Sequence, residues 1–221
     1  MSHRAPDTRR AAIAATAYVL LTLIVACGWS AGFDYQATVW LQRWGRRWLD
    51  YALFGFTLLG GIEATSLAVL ALGVWRAAAR RARAALALWT AFVVMTLVEV
   101  ACKLLVTQPH VPDEFHRSPW EGVGFVHVSL PHAFPSGHTL RTIFILGYVW
   151  AMADRLPGAR RRWLQTALAA GMLLVGVSRV YLGEHWTTDV VGGVLLAVMG
   201  LWWVRRAETV AGTGYRNTNA Q

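Results

Sequence analysis

The feature that most limits how this chain can fold is a series of six long apolar segments. A helix needs about 20 apolar residues to cross the hydrocarbon core of a bilayer. The segments that approach this length are 11–33, 51–75, 84–106, 139–153, 163–182 and 188–204. Because backbone polar groups cannot stay unpaired in lipid, each segment is expected to be helical. The sequence therefore predicts an all-α, polytopic membrane protein, a helical bundle with six transmembrane helices.

The composition excludes other classes of protein. Hydrophobic residues make up 56% of the chain and charged residues only 15%, whereas soluble domains carry about a quarter charged residues. The net charge of +9 would alone suggest a nucleic-acid partner, but the apolar content argues against one. Cys27 and Cys102 both lie in apolar segments, so no disulfide framework is expected.

The basic residues are divided unequally between the two sides of the predicted bundle. Fourteen of the 21 fall on the side that carries both termini, and such an excess marks the cytoplasmic side. We therefore expect a multi-pass protein of the cell (inner) membrane with cytoplasmic termini. The fourteen are Arg4, Arg9, Arg10, Arg76, Arg80, Arg81, Arg83, Arg155, Arg160, Arg161, Arg162, Arg205, Arg206 and Arg216.

Segments outside the six spans have weaker signals. Trp40, Trp44 and Trp48 recur every four residues within 34–50, which favours an interfacial helix between spans one and two, or a loop with aromatic anchors. Residues 1–210 are expected to form one domain and 211–221 a polar, disordered tail. Residues 24–27 resemble a lipoprotein cleavage site, but the apolar segment continues past Cys27, so we expect it to be retained.

Ionisable residues of four predicted spans gather at one level, at the extracytoplasmic ends. Such residues usually mark function in a membrane protein. Six of the seven histidines, all except His3, fall on the same side. The residues at this level are Lys103, His138, Arg141, Arg179, His185 and Asp189.

This set has the composition of an anion site with a nucleophile and an acid. The cations would bind phosphate, and the N–H groups of Ser136 and Gly137, before a predicted helix, would help to hold its oxygens. Asp189, one helical turn after His185, would orient that imidazole for attack on phosphorus. His138 would protonate the leaving oxygen. Because no dense carboxylate cluster exists to hold Mg²⁺, we expect no metal and no cofactor.

Two of these motifs together resemble the type 2 phosphatidic acid phosphatase family. Residues 135–138 read P-S-G-H, and Ser178, Arg179, His185 and Asp189 fit the spacing S-R-x-x-x-x-x-H-x-x-x-D. The family's first motif, K-x-x-x-x-x-x-R-P, is matched only in part. Lys103 fits, but His110 stands in place of the arginine and is followed by Val111 before Pro112.

The resemblance implies a membrane phosphatase that acts on a lipid phosphate or pyrophosphate. It implies catalytic roles for His185 as nucleophile, Asp189 as its orienting carboxylate and His138 as acid. Undecaprenyl pyrophosphate, phosphatidylglycerophosphate and phosphatidate are the substrates that it suggests. The residues implied to bind or support the phosphate are Lys103, His110, Ser136, Gly137, Ser178 and Arg179.

Other functions and residue roles stay open at this point. A lipid phosphotransferase or a non-catalytic carrier of lipid headgroups would use the same cationic face. Arg141 either contacts substrate or extends to the surface, and Glu63 and Glu99 are either structural or part of a proton path. Four histidines of the 107–138 loop fit no metal-ligand spacing. They are His110, His116, His127 and His132.

The substitution of His110 for arginine predicts a pH effect. An imidazole carries a positive charge for the phosphate only when it is protonated, so the activity should have an acidic optimum. His110→Arg should move the pH–rate profile of phosphate release to higher pH, because the guanidinium stays charged. An unchanged profile would reject this role for His110. Arg117, in the same loop, is an alternative source of the missing charge.

Overall fold

The computed structural model describes residues 8–117, 119 and 130–218, with the side chains of 210–218 left out. Within these residues the chain is helical and has no strand, which confirms the predicted all-α class. The helices are α1 (Thr8–Ala26), α2 (Ala31–Gln42), α3 (Arg47–Leu58), α4 (Ile62–Ala78), α5 (Ala82–Leu105), α6 (Gly137–Ala153), α7 (Gly158–Tyr181) and α8 (Thr187–Thr218), with a 3₁₀ turn at Asp113–Phe115.

Helix length and composition support a multi-pass membrane protein. Four of the described helices are long and apolar enough to cross a bilayer: α1, α5, α7 and the Thr187–Thr209 part of α8. The pair α3 and α4 makes a fifth candidate, bent by 40°. Large apolar side chains such as Leu20, Leu97 and Leu173 face outward, as expected where the surroundings are lipid rather than water. Helix α6 has 17 residues and is shorter than each of the four single-helix candidates.

The first predicted span, 11–33, is wrong in its extent. Helix α1 ends at Ala26, and a turn follows in which Gly28 has a φ of +71°. Glycine adopts this left-handed conformation without the steric cost of a Cβ. The chain then enters α2, which takes up the last three residues of the predicted span.

The predicted helix over 34–50 is also divided. Helix α2 ends at Gln42 and α3 begins at Arg47, so Trp44 lies in the break between them. The three tryptophans are exposed. The segment supplies a short helix between α1 and the α3–α4 pair, but not one amphipathic helix of the predicted length.

The second predicted span, 51–75, is interrupted at 59–61. The Gly60 position at this break lies against the start of α6. A Cβ there would approach the Thr142 hydroxyl to 2.9 Å and the His138 Cβ to 3.0 Å. The bend therefore brings the α3–α4 pair into direct contact with the helix that carries His138.

The core lies around α6 and α8. Helix α6 packs against α7 and α8, while α8 also packs against α1 and α5. Leu88, Leu140, Phe144 and Ala197 are fully buried in this core. Helices α6 and α8 run in the same direction, because α7 returns the chain between them, and the N-terminus of each therefore lies at the same end of the bundle as the C-termini of α5 and α7.

A buried ion pair closes the opposite end of the bundle. Arg76, at the end of α4, is 2% exposed and pairs with Glu208 of α8. The Tyr148 hydroxyl of α6 donates to Glu208 over 3.1 Å, and the Arg76 guanidinium lies 5.8 Å from the centre of the Tyr148 ring. These polar contacts link α4, α6 and α8 at this end of the bundle.

The backbone of α8 is helical to Thr218, beyond the end of the predicted sixth span at Val204. The helix thus runs into the segment 211–221. The division of the chain into a domain of residues 1–210 and a separate tail stays a prediction.

Candidate active site

Four helix ends meet at one end of the bundle and bring the predicted residues together. Lys103 lies in the last turn of α5 and Arg179 in the last turn of α7. His138 and Asp189 lie in the first turns of α6 and α8, and His185 lies in the short α7–α8 connection. The gathering of polar groups at one level, predicted from the sequence, is present in the structure.

The His185–Asp189 pair is the centre of this site. The His185 Nδ1 lies 3.0 Å from Asp189 Oδ2, and both side chains are buried. The Trp186 backbone N–H donates to the same carboxylate oxygen over 3.0 Å. Because a carboxylate accepts the Nδ1 proton, the Nε2 atom keeps its lone pair and can act as a nucleophile.

Asp34 of α2 fixes the start of α8, a role that sequence reasoning missed. Its Oδ1 accepts the Thr188 backbone N–H over 2.9 Å, and its Oδ2 accepts the Thr188 hydroxyl over 2.7 Å. The Gln108 amide also reaches the Thr188 hydroxyl, at 3.2 Å. A carboxylate satisfies the N–H groups that a helix N-terminus leaves unpaired and favours its dipole. The signal available in the sequence was an isolated acidic residue between the aromatic side chains of Phe33 and Tyr35.

The P-S-G-H turn is built around Ser136, which caps α6. Its buried hydroxyl accepts the Thr139 hydroxyl over 3.1 Å and the Thr139 N–H at 3.5 Å. The Ser136 N–H donates to the Asp189 carbonyl over 3.0 Å. This N–H therefore links the turn to α8, and the role of Ser136 in binding phosphate stays a prediction.

Gly192 and Gly193 allow this turn to lie directly on α8. A Cβ at Gly192 would come within 2.5 Å of the Phe134 ring, and one at Gly193 within 2.6 Å of the Ser136 carbonyl. The glycine pair therefore permits close packing of α8 against the turn that precedes His138.

Arg179 is buried and only partly hydrogen-bonded. Its Nη1 donates to the Thr57 hydroxyl over 2.7 Å, and its Nη2 lies 3.5 Å from Glu184 Oε2. The Nε is buried without a hydrogen-bond partner. A guanidinium held in this way keeps one donor and most of its charge for an anion.

Arg141 is paired with a carboxylate of the neighbouring helix. Its Nη1 lies 2.7 Å from Glu99 Oε2, and Glu99 Oε1 lies 3.7 Å from the Lys103 ammonium. Glu99 therefore has a definite partner in Arg141, which supports its interpretation as a structural carboxylate. The extension of Arg141 to the surface is wrong, because its side chain is 8% exposed and lies within the bundle.

Two residues of the predicted site, His110 and Ser178, and the alternative cation Arg117 have other partners. His110 Nε2 lies 3.0 Å from the Leu130 carbonyl, at an exposed position. The Ser178 hydroxyl donates to the Val175 carbonyl over 2.7 Å inside α7. Arg117 binds Asp50 through two contacts of 3.1 and 3.2 Å, so it does not supply the charge that His110 lacks.

The described part of the outer loop is fastened over the α7–α8 connection. Gly183 has a φ of +72°, and a Cβ there would lie 2.2 Å from the Phe115 carbonyl. The Arg117 N–H donates to the Leu182 carbonyl over 3.0 Å, and the Trp186 indole donates to the Pro109 carbonyl over 2.9 Å. These contacts hold the loop that follows Lys103 against the connection that carries His185.

The surroundings of His185 lower the pKa of its imidazole well below the usual value. Burial is the largest cause, and the charges of Lys103, Arg179, His138 and His110 act in the same direction. Both effects disfavour the imidazolium. His185, which lies outside the membrane-spanning helices, is therefore neutral over most of the pH range, as attack by Nε2 requires.

Across the described residues, no three His, Cys, Asp or Glu side chains are grouped as ligands for a metal ion. His127, one of the four loop histidines considered for such a site, lies outside those residues. The expectation of a metal-free site stays a prediction.

Comparison with known proteins agrees with the two motifs. A family model that describes the PAP2 superfamily matches residues 107–211. The predicted resemblance is confirmed. The match contains His138, Arg179, His185 and Asp189, and Lys103 lies just before it.

Two curated relatives match over parts of the chain. Phosphatidylglycerophosphatase B of Bacillus subtilis (strain 168) is 36% identical over 70 residues, which are 30% of this chain and 34% of the relative. The putative undecaprenyl-diphosphatase YbjG of Escherichia coli (strain K12) is 33% identical over 81 residues, 36% of each chain. The chain thus spans about a third of the length of the curated relatives it matches.

A solved structure supports the fold as a whole. The transmembrane PAP2 type phosphatidylglycerolphosphate phosphatase from Bacillus subtilis superposes with a TM-score of 0.67 and 22% identity, covering 86% of this chain and 92% of that one. The helical bundle therefore has the fold of this solved structure.

The buried contact between Asp34 and Thr188 yields a stability prediction. Asp34→Ala leaves the Thr188 N–H and hydroxyl without their partner, and we expect a loss of about 2 kcal/mol of unfolding free energy. Thermal or chemical unfolding in detergent measures it. Asp113→Ala is the matched control, since the Asp113 carboxylate is fully exposed. Equal stability of the two variants would contradict the capping role.

Proposed function

We propose that this protein is an integral membrane phosphatase that hydrolyses a lipid phosphate or pyrophosphate through a phosphohistidine on His185, without a metal ion. The observation that carries the proposal is the buried His185–Asp189 pair, with Nδ1 on the carboxylate at 3.0 Å. Binding an anionic headgroup needs charge alone, whereas an imidazole held in one tautomer serves nucleophilic attack.

Phosphate binding uses the cations around this pair. Arg179, with its unpaired Nε, and Lys103 would neutralise the phosphate oxygens, and their charges already act on His185. The first turn of α6, which starts at Gly137, adds N–H groups that have no partner within the helix. This arrangement stabilises the extra negative charge of the transition state.

The first chemical step transfers the phosphoryl group to His185. Its Nε2 forms the N–P bond while the bond from phosphorus to the lipid oxygen, or to the bridging oxygen of a pyrophosphate, breaks. His138 gives its proton to the departing oxygen. Asp189 stabilises the positive charge that the His185 ring acquires.

The second step returns the enzyme to its starting state. Water attacks the phosphorus, the N–P bond breaks, and neutral His138 takes the proton from that water. The products are inorganic phosphate and a lipid alcohol, or a lipid monophosphate when the substrate is a pyrophosphate. Passing the phosphoryl group to a second lipid instead of water would make the protein a phosphotransferase.

The lipid class of substrate rests on the position of the site at one end of an apolar bundle. We propose six spans, the five candidates and α6, with the site on the extracytoplasmic side because the arginine excess lies at the other end. Both named relatives, a phosphatidylglycerophosphatase and a putative undecaprenyl-diphosphatase, favour substrates whose phosphate lies at this level of the membrane.

Phosphate release from a panel of lipid phosphates tests the proposal. The wild type should release inorganic phosphate from at least one lipid and keep its rate in EDTA. His185→Ala should lower kcat by about a thousandfold or more, since it removes the nucleophile. His116→Ala is the control, because His116 is an exposed loop histidine.

Three results would contradict this function. Strict dependence on Mg²⁺ would overturn the metal-free mechanism. Formation of labelled lipid product without free phosphate would indicate the phosphotransferase. Headgroup binding that survives in His185→Ala, with no turnover in the wild type, would indicate a carrier.

The lowered pKa of His185 gives a second prediction. A group whose pKa is lowered stays unprotonated to lower pH, and protonation removes the lone pair that attacks phosphorus. The acid limb of kcat/KM should therefore lie well below pH 6.5, the ordinary range of histidine. The test is the pH dependence of kcat/KM, measured with the same lipid throughout. An acid limb centred at or above pH 6.5 would contradict the assignment of His185 as the nucleophile.

A further inference from the structure

Glu99 lies between two of the cations of the site. It precedes Lys103 by one turn of α5, and its two oxygens face different partners: Oε1 is 3.7 Å from the Lys103 ammonium and Oε2 is 2.7 Å from Arg141 Nη1. The three side chains are 8–15% exposed. The carboxylate thus joins α5 to α6 at the level of the catalytic histidines.

The same carboxylate fills the space beside Gly137. A Cβ at this position would lie 2.0 Å from Glu99 Oε1 and 2.7 Å from Arg141 Nη2. Any residue larger than glycine would collide with the ion pair. Glycine in the P-S-G-H turn is therefore required by Glu99 as well as by an approaching phosphate.

The two contacts of Glu99 differ in strength. The contact with Arg141 is a charge-assisted hydrogen bond, while the 3.7 Å contact with Lys103 leaves the ammonium room to turn toward an anion. One carboxylate between two cations also leaves a net positive charge at this side of the site. Burial of Lys103 and Arg141 without Glu99 would leave both uncompensated, which is costly.

We propose that Glu99 is a positioning residue that, through Arg141 and Gly137, holds Lys103 and the first turn of α6 in place for the phosphate. The inference rests on the phosphatase function proposed above. Arg141 then acts on Glu99 rather than on substrate.

Binding of inorganic phosphate separates this role from a simple counterion. If Glu99 only competed with phosphate for the two cations, Glu99→Gln would strengthen phosphate binding. If Glu99 positions Lys103, the same substitution should weaken phosphate binding about tenfold or more and lower kcat/KM, although the site becomes more positive. Phosphate affinity from product inhibition and from calorimetry gives the direction.

Glu99→Asp distinguishes position from charge. It keeps the charge but withdraws the carboxylate by one methylene, so the positioning role predicts a loss of phosphate affinity similar to that in Glu99→Gln. Wild-type affinity in Glu99→Asp would overturn the proposal. Asp154→Asn is the matched control, because Asp154 is an exposed carboxylate paired with Arg161 outside the site.

A double-variant cycle tests the part of Arg141 and does not depend on one variant being stable. In Arg141→Gln, Lys103 is the remaining cation beside Glu99. Glu99 should then neutralise the Lys103 ammonium, and phosphate binding should weaken. The double variant Glu99→Gln, Arg141→Gln should lose less phosphate-binding free energy than the sum of the losses in the two single variants, because the paired charges are removed together. Additive losses would assign Arg141 to the substrate and overturn its positioning role.

The outcomes also separate this inference from the proposed function. If the wild type neither binds phosphate nor releases it from any lipid, both proposals fail. If the wild type is active and all Glu99 variants behave as Asp154→Asn, the phosphatase stands and the role of Glu99 is rejected.

Discussion

The compensation of buried positive charge is the constraint on which the rest of this structure depends. Lys103, Arg141 and Arg179 lie within one end of an apolar bundle, where an unpaired cation is strongly unfavourable. Each is balanced in part: Arg141 by Glu99, Arg179 by Glu184 and the Thr57 hydroxyl, and Lys103 by a looser contact with Glu99. In the proposed function a dianionic phosphate would complete the balance, so the affinity of the site for its ligand and the stability of the fold would depend on the same charges.

Backbone contacts make the two motifs a single unit. The Ser136 N–H binds the Asp189 carbonyl, and Gly192 and Gly193 let the turn before His138 rest on α8. The two histidines therefore have a relative position set by main-chain hydrogen bonds and not by flexible side chains. Such rigidity suits a reaction in which one imidazole attacks phosphorus while the other faces the departing oxygen.

The motifs and the helical class follow from the sequence because they depend on local spacing. Apolar segment length predicts helices, and the interval of four between His185 and Asp189 predicts that the two side chains meet, as they do although His185 lies in the connection before α8. The partners of Asp34, Glu99 and Arg117 do not follow, since Thr188, Arg141 and Asp50 are 154, 42 and 67 residues away. Apolar periodicity carries no information on how one helix is aligned against another, and this alignment decides which charges meet. The breaks at 27–30 and 59–61 were missed for a related reason: apolar composition continues through them.

Helix α8 is held by carboxylate contacts at its start and about two thirds of the way along its length. Asp34 binds it at Thr188, and its own Glu208 binds Arg76, about 30 Å further along for twenty residues of helix. A piston-like shift of α8 along its axis would break both attachments together. The His185–Asp189 pair therefore keeps a constant depth relative to Arg76 at the far end of the bundle.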